Sequence, residues 1–204
     1  MNHRVPVTGE EVGLQDFLVS TRIIDHHHPA IRKKARELAA NLMDDAAIAE
    51  RCFLFVRDAI RHSGDFCQNP VTLCASEVLE YHTGYCYAKS HLLAALLRAN
   101  NIPAGLCYQR LAYREYGRPF CLHGLNAVYL REYGWYRIDP RGNKNGIDSR
   151  FSPPGECLAY VPRESGEADL PGIFAEPVPG VIDLLTRFRD YEGVLRNLPD
   201  RAVP

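Results

Sequence analysis

The feature that most constrains the fold is a helix-length stretch, residues 85–99, that is apolar on nearly every side. At 3.6 residues per turn its apolar residues cover the whole helix surface: Ala88, Leu92, Leu93, Ala94, Ala95, Leu96, Leu97 and Ala99. A helix that is apolar all round belongs in the centre of a protein, because an exposed face would carry polar side chains. We therefore predict a central helix from about Tyr85 to Ala99, ended by the Asn-Asn-Ile-Pro sequence that follows it.

The apolar period changes on either side of this helix. Residues 104–114, 122–130 and 135–139 alternate between apolar and polar side chains, as strands do, and Arg-Glu-Tyr-Gly separates the last two as a turn. Upstream, residues 30–42 and 43–62 carry helical apolar stripes, with Asp44 or Asp45 as the cap of the second helix, and residues 75–81 suit a short helix. Helices followed by strands predict the α+β class, with N-terminal helices, a buried helix and an antiparallel sheet after it.

The length of the chain, 204 residues, suits one domain, and we predict a single domain over residues 1–204. Its core is expected at about residues 30–150. Residues 151–204 are expected to form a C-terminal extension. Within it, the stretch to about residue 180 is rich in proline, glycine and acidic residues and predicts surface coil, and one helix should follow from about Val181 to Leu198.

Charge and cysteine usage narrow the functional class. The formal net charge of −1 gives no general attraction to nucleic acid or to anionic membranes. The sequence has neither an apolar signal region near residue 1 nor a stretch of roughly 18 apolar residues, so we expect no membrane partner. Seven cysteines, an odd number without any C-x-x-C pair, favour reduced thiols and a cytoplasmic location.

Cys86 stands at the start of the predicted central helix. The first N–H groups of a helix are free and carry a partial positive charge, which favours an anion such as a thiolate. The same N–H groups can bind the oxyanion of a tetrahedral intermediate. Buried cysteines are also common as plain core residues, so Cys86 by itself leaves both interpretations open.

His123 and Asp139 form the second candidate group, because a thiolate nucleophile needs a base and the base needs an orienting partner. His123 begins one predicted strand and Asp139 ends the next. A hairpin turn centred near Arg131 would place the two directly opposite, and a turn shifted by one residue would leave them diagonal neighbours. In either case the carboxylate can hold one imidazole nitrogen and leave the other for a thiol. A polar cross-strand pair without a catalytic role is the alternative.

The remaining histidines are expected to be structural or exposed. The adjacent His26, His27 and His28 are expected in solvent, and so are His62 and His82, whereas His91 lies on the central helix as a buried residue. A metal site formed by Cys121, His123 and the histidine run is a further alternative. It lacks a second pair of ligands at zinc spacing, so we predict no metal.

Three segments taken together resemble the transglutaminase-like superfamily, the papain-related group that includes transglutaminases and bacterial cysteine-protease-like proteins. They are GYCYAKSHLLAALLRANNIPAG, CLHGLNAVYL and GWYRIDPRG, within a resemblance over about residues 12–142. The family pattern of G-x-C, R-x-x-x-I-P-A, a strand-initial His and W-x-x-x-D-P is matched by Gly84, Cys86, Arg98, Ile102, Pro103, Ala104, His123, Trp135, Asp139 and Pro140. Leu125 in place of an aromatic residue and Gly105 in place of arginine depart from the family, and Tyr85 stands directly before the nucleophile. These positions leave the three catalytic residues intact and the shape of the acyl pocket open.

The resemblance implies an acyl-transfer reaction in which Cys86 is the nucleophile, His123 the general base and acid, and Asp139 its orienting partner. Attack on a carbonyl gives a thioester, which water hydrolyses and an amine converts to a new amide. We therefore predict a cysteine protease or amidase that acts on a peptide or amide-containing substrate, with transamidation possible and no cofactor. A non-catalytic binding module of the same fold is the alternative.

The surroundings of the nucleophile supply further candidates. The backbone N–H of Cys86 is predicted to donate to the oxyanion, and Gln68 or Asn69 is a candidate for the second donor. Tyr85 and Trp135 are candidates for lining the substrate pocket, although aromatic side chains are more often found in the core.

Overall fold

The computed structural model describes residues 13–114 and 119–200. A 3-10 helix, Leu14–Leu18, is followed by helices α1 (Pro29–Ala39) and α2 (Asp45–Ala59). Next come β1 (Arg61–His62), α3 (Ser63–Phe66), α4 (Ala75–Tyr81), β2 (Thr83–Gly84) and α5 (Cys86–Ala99). The long strands are β3 (Ala104–Ala112), β4 (Phe120–Leu130) and β5 (Gly134–Ile138). The chain continues through β6 (Ala168–Asp169), α6 (Pro179–Arg187) and α7 (Tyr191–Leu195).

Helix α5 is the centre of the molecule, as its apolar surface predicted. Every residue from Cys86 to Arg98 is buried. Helices α1, α2 and α4 pack against α5, and strands β3 and β4 contact it as well. The predicted cap of α2 is also confirmed, because the Asp44 carboxylate accepts a hydrogen bond from the Ala47 N–H at 2.9 Å.

Arg98 fixes the far end of α5 to three other segments. Its guanidinium is 2% exposed and donates to the carbonyl oxygens of Ala104 at 2.8 and 3.0 Å, Val19 at 2.8 Å and Ala175 at 2.7 Å. Backbone carbonyls satisfy the buried cation, which would otherwise be costly to remove from water. Arg98 therefore links the start of β3 to the segments around Val19 and Ala175, which are distant in sequence.

The main sheet is antiparallel, with the strand order β5-β4-β3-β6. One set of its side chains joins the core around α5. The other set forms a second hydrophobic cluster, which consists of Phe17, Cys107, Leu125, Ala127 and Ile173. A helical layer followed by this antiparallel sheet confirms the predicted α+β class.

A two-stranded parallel pair brings the end of α2 to the start of α5. Strand β1 pairs with β2 so that His62 stands opposite Gly84. The hydroxyl groups of Ser63 and Thr83 are hydrogen-bonded at 3.0 Å, and both residues are buried. The pair therefore places His62 close to the first turn of α5.

The C-terminal extension differs from its prediction in two ways. Its coil contributes strand β6 to the edge of β3, and Leu106 and Phe174 exchange two backbone hydrogen bonds of 2.8 and 2.9 Å. The helix predicted over residues 181–198 is instead two short helices, α6 and α7. The carboxylate of Asp190 accepts from the Gly193 N–H at 2.8 Å and so begins a new helix, which a continuing apolar period does not reveal.

Candidate active site

Cys86 is the first residue of α5, as predicted, and it is 7% exposed. Tyr85 is the N-cap, with extended backbone. A Cβ on Gly84 would lie 3.1 Å from the Ala88 Cβ and 3.2 Å from the Thr72 hydroxyl oxygen. The absence of a side chain at Gly84 therefore lets β2 lie against the first turn of the helix and holds Cys86 at its end.

His123 and Asp139 meet across the hairpin formed by β4 and β5. The register pairs Asn126 with Ile138, so the hairpin is centred on Glu132, and His123 and Asp139 are diagonal neighbours. The imidazole Nε2 lies 2.8 Å from the Asp139 Oδ2, and the two side chains are 5% and 0% exposed. The diagonal arrangement is one of the two that the sequence allowed.

The carboxylate of Asp139 is oriented by backbone donors. The Arg141 N–H donates to Oδ1 at 3.1 Å and the Ala159 N–H donates to Oδ2 at 3.2 Å. The Ser149 hydroxyl donates to the Asp139 carbonyl oxygen at 2.6 Å. The carboxylate therefore has a fixed direction, and it can in turn fix the plane of the imidazole.

The sulfur of Cys86 interacts electrostatically with the His123 imidazole, and both side chains line the same cavity. Because Nε2 is engaged by Asp139, Nδ1 is the ring nitrogen left for the sulfur. Burial by itself would lower the pKa of His123, but the carboxylate of Asp139 and the sulfur of Cys86 outweigh burial and raise that pKa to about 10. The arrangement can therefore hold a protonated imidazole next to the sulfur.

Tyr160 lies against the imidazole ring of His123. The two rings meet edge to face, with centroids 4.9 Å apart. The guanidinium of Arg141 lies 5.8 Å from the Tyr160 ring centre. Sequence reasoning did not find Tyr160, because it lies in a coil segment with no periodicity to place it near His123.

A charged cluster next to this site was also missed. The Arg141 guanidinium forms two hydrogen bonds with the Asp65 carboxylate, at 2.6 and 2.9 Å, and Lys144 donates to the same carboxylate at 2.7 Å. The signal available for Arg141 was its position directly after the Asp139-Pro140 motif. Asp65 and Lys144 had no comparable signal, since only the tertiary structure joins them.

The candidate site opens into a cavity of about 430 Å³, a size typical of small-molecule pockets. Cys86 and His123 both line it. Its polar lining residues include His62, Asp65, Arg141, Lys144, Tyr160 and Glu167. Its apolar lining residues include Leu111, Leu122, Leu195 and Leu198. The sulfur and imidazole therefore face a space able to hold part of a substrate.

Of the two residues predicted to line the substrate pocket, one lies at the cavity and the other does not. Tyr85 lines the cavity, and its hydroxyl donates to the Tyr191 carbonyl oxygen at 2.6 Å. Trp135 is not part of the lining. It stands near the turn end of the hairpin, and its ring packs edge to face against Phe17 at 4.8 Å and Tyr129 at 5.7 Å. The prediction for Trp135 is therefore wrong, because its side chain is used by the second hydrophobic cluster.

Gln68 and Asn69 also lie outside the lining of the cavity. The Asn69 side-chain oxygen accepts from the Tyr191 N–H at 2.8 Å, so it supports α7 instead of facing the sulfur. Cys67 has a left-handed conformation, with φ of 51°, and ends α3 just before these residues. The chain direction changes there, and neither Gln68 nor Asn69 lines the cavity that contains Cys86.

The structure corrects two of the histidine assignments. His26 is buried, with its pKa lowered to about 4 by burial and by His27, whereas His27, His28 and His82 are exposed as predicted. His62 lines the cavity instead of facing solvent, because strand pairing draws it inward. Burial and the positive charge of Arg141 hold the pKa of His62 well below its ordinary value.

His91 is fully buried on α5, as expected, and its Nδ1 lies 2.8 Å from the Leu73 carbonyl oxygen. All seven cysteines are free. Within residues 13–114 and 119–200, no group of three or more His, Cys, Asp or Glu side chains is placed to hold a metal ion. In the same ranges, no helix combines the length and apolar character that a membrane span requires.

The two departures from the family pattern concern packing behind the sheet. A Cβ on Gly105 would lie 2.3 Å from the Ile173 Cγ2 and 2.9 Å from the Phe17 Cε1, so no side chain fits there. Leu125 is fully buried in the same cluster. Neither residue lines the cavity.

The protein combines an α+β fold with a cysteine at the start of a buried helix. A His–Asp pair at the following hairpin completes the arrangement. The family model described as "Transglutaminase-like superfamily" matches residues 32–140, more than half of the chain. The chain belongs to the transglutaminase-like superfamily. None of the curated proteins matches it.

Among solved structures, one with a TM-score above 0.5 supports the same fold. A "Putative Cysteine Protease" from Cytophaga hutchinsonii is 19% identical with a TM-score of 0.52, over 65% of this chain and 43% of that one. The periplasmic domain of TgpA from Pseudomonas aeruginosa is 17% identical with a TM-score of 0.47, over 64% and 48%. This chain therefore spans less than half the length of either of these two relatives. At these identities the similarity concerns the fold alone.

Proposed function

We propose that this protein is a thiol-dependent acyl-transfer enzyme that hydrolyses an amide or peptide bond. The observation that supports this most strongly is the 2.8 Å hydrogen bond between His123 and Asp139 at the wall of a cavity that Cys86 also lines. Nucleophile, base and orienting group are the three parts that such chemistry requires. Membership of the superfamily adds general support.

In the first step, the sulfur of Cys86 attacks the carbonyl carbon and forms a tetrahedral intermediate. Its oxyanion would be stabilised by the free N–H groups at the start of α5, including that of Cys86 itself. The protonated His123 would then transfer its proton to the leaving nitrogen, and the C–N bond breaks. The products are a free amine and a thioester on Cys86.

In the second step, His123 accepts a proton from a water molecule, whose oxygen attacks the thioester. Collapse of the second intermediate breaks the C–S bond, releases a carboxylic acid and returns the thiolate beside the protonated imidazole. An amine in place of water would give transamidation through the same thioester. Asp139 keeps the ring in place throughout, since its own direction is fixed by two backbone N–H groups.

Brief labelling with iodoacetamide at neutral pH, followed by peptide mapping, tests the nucleophile. We expect Cys86 to be alkylated first, ahead of Cys67, which is exposed and serves as the internal comparison. Burial raises the pKa of Cys52, Cys107 and Cys121 to about 12, so these three should react slowly.

Alkylation of histidine variants tests whether the reactivity of Cys86 depends on His123. His123→Ala should slow alkylation of Cys86 at least ten-fold, while His82→Ala, a change at an exposed histidine, should leave it unchanged. Alkylation of Cys86 no faster than that of Cys67 would reject the proposal. If His123→Ala unfolds the chain, Asp139→Asn replaces it in the comparison.

Turnover separates an enzyme from a binding module of the same fold. A panel of peptides and simple amides is incubated with the wild type and with Cys86→Ala, and the products are identified by mass. We expect amide hydrolysis by the wild type only, and added primary amine should divert part of the product if the thioester forms. Binding without any turnover, together with slow alkylation of Cys86, would instead indicate a binding module.

A further inference from the structure

Residues 191–200, here called the C-terminal wall, lie outside the family match at residues 32–140 but border the candidate site. Leu195 and Leu198 of this segment line the cavity together with Cys86 and His123. Leu198 is 7% exposed and Leu195 is half-buried, so both have apolar surface available toward the cavity.

The beginning of the C-terminal wall is fixed next to Cys86. The Tyr191 carbonyl oxygen accepts from the hydroxyl of Tyr85, and the Tyr191 N–H donates to the Asn69 side chain. Val194 of α7 is fully buried in the main core. These contacts connect α7 to the residue directly before the nucleophile.

The end of the C-terminal wall is fixed next to His123. The Leu122 N–H donates to the Pro199 carbonyl oxygen at 2.7 Å, on the edge of β4 that β5 leaves free. The Asp200 carboxylate forms two hydrogen bonds with the Arg110 guanidinium, at 2.7 and 2.8 Å. Because both ends of residues 191–200 are held by hydrogen bonds, we interpret the segment as a fixed wall of the cavity and not as a mobile lid.

Two further leucines line the same cavity as this wall. Leu111 of β3 and Leu122 of β4 line the same space. Charged groups line the cavity as well: Arg141 and Lys144 are paired with Asp65, and the Glu167 carboxylate accepts from the Ala112 N–H. Four leucines therefore line the same cavity as the sulfur.

We propose that Leu195 and Leu198 are specificity-determining residues that bind an apolar side chain of the acyl donor. This inference rests on the proposed function, because it concerns the substrate of the same thiol. Leucine side chains at fixed positions favour aliphatic or aromatic groups and reject charged ones, which would be desolvated without a partner. The substrate class is then an amide or peptide with an apolar residue on the acyl side.

Chloromethyl ketones of N-acetyl alanine, leucine, phenylalanine and aspartate test this, with iodoacetamide as a reference that has no side chain. We expect the wild type to react with the leucine and phenylalanine reagents about 10-fold faster than with the alanine reagent, and slowest with aspartate. Leu195→Ala should reduce the preference for leucine over alanine several-fold. Val194→Ala, a core change on the same helix, should lower stability and leave that preference unchanged.

The outcomes distinguish the two proposals. Slow, unselective reaction of Cys86 with iodoacetamide would reject the proposed function itself. Selective alkylation of Cys86 with a leucine-to-alanine ratio that Leu195→Ala does not change, or that Val194→Ala changes equally, would reject only the apolar pocket. A uniform acceleration by Leu195→Ala with every reagent, iodoacetamide included, would show that the segment is a lid and would also reject it.

Discussion

His123 and Asp139 are diagonal neighbours across the β4–β5 hairpin, and they are joined by a 2.8 Å hydrogen bond between Nε2 and Oδ2. Diagonal neighbours stand about 7–8 Å apart, a distance that an imidazole and a carboxylate bridge together. Because this contact uses Nε2, Nδ1 is left for Cys86. The hairpin register and the Asp139 contact together leave Nδ1 of His123 as the nitrogen available to the thiol.

The protonation of His123 is the first prediction. Its pKa is raised from 6.5 to about 10, since Asp139 and Cys86 outweigh the opposing effect of burial. A raised pKa in the folded state stabilises the fold below about pH 6.5, and this contribution is lost as pH rises toward 10. NMR titration of the imidazole should show it still protonated at pH 8. Asp139→Asn should lower the pKa, whereas Asp183→Asn, at an exposed carboxylate, should not.

Gly124 controls how closely α5 approaches β4. A Cβ there would lie 2.8 Å from the Tyr87 Cδ1 and 3.3 Å from its Cα, so Gly124→Ala must displace the first turn of α5. We expect a loss of about 1–3 kcal/mol in the free energy of unfolding, and slower alkylation of Cys86. Gly155→Ala is the matched control, since its nearest neighbour is 3.7 Å away. Equal effects of the two changes would contradict the role of Gly124.

Asp65 is predicted to stabilise the fold in a pH-dependent way. Burial would raise its pKa, but hydrogen bonds from Arg141 and Lys144 outweigh burial and hold that pKa well below 3.8. The stabilisation is therefore present above about pH 4 and is lost as pH falls through the lower folded-state pKa. Asp65→Asn should cost about 1–3 kcal/mol at pH 7 and less at pH 3 by urea denaturation.

The control for Asp65 is Asp148→Asn, because the Asp148–Arg150 pair lies in solvent. It should change stability little at either pH, since exposed ion pairs contribute little. An equal loss at pH 7 and pH 3 for Asp65→Asn would show that the effect comes from packing and not from charge.

Lys89 is a buried lysine three residues after Cys86. Its ammonium donates to the Arg57 carbonyl oxygen at 3.2 Å and to that of Ile60, so it binds the C-terminal end of α2. Burial and the charge of Arg141 lower its pKa from 10.5 to about 7. Lys89 therefore contributes most to the free energy of unfolding above pH 10.5, and this contribution decreases as pH falls toward 7.

Lys89→Met should therefore destabilise the fold more at pH 10 than at pH 6. About 1–3 kcal/mol is expected from the two carbonyl oxygens that lose their donor. Chemical denaturation at both pH values measures this, and Lys33→Met, at an exposed lysine, is the control. A larger cost at pH 6 than at pH 10 would contradict the lowered pKa.

The sequence alone determined the central helix, the three long strands and the positions of Cys86, His123 and Asp139. These features depend on local patterns: apolar side chains all round α5, alternation in the strands, and a helix start directly after Gly84. The same patterns allowed two registers for the hairpin, because a shift of one residue keeps both polar side chains near the sheet end.

The tertiary structure decided what surrounds the thiol. Trp135 was expected in the pocket but packs behind the sheet, while His62, Tyr160, Leu195 and Leu198 line the cavity without a sequence signal. Each of these placements depends on contacts between segments far apart in the chain, such as the Leu122–Pro199 hydrogen bond. Local periodicity carries no information about such contacts, because their free energy comes from packing that exists only once the chain has folded.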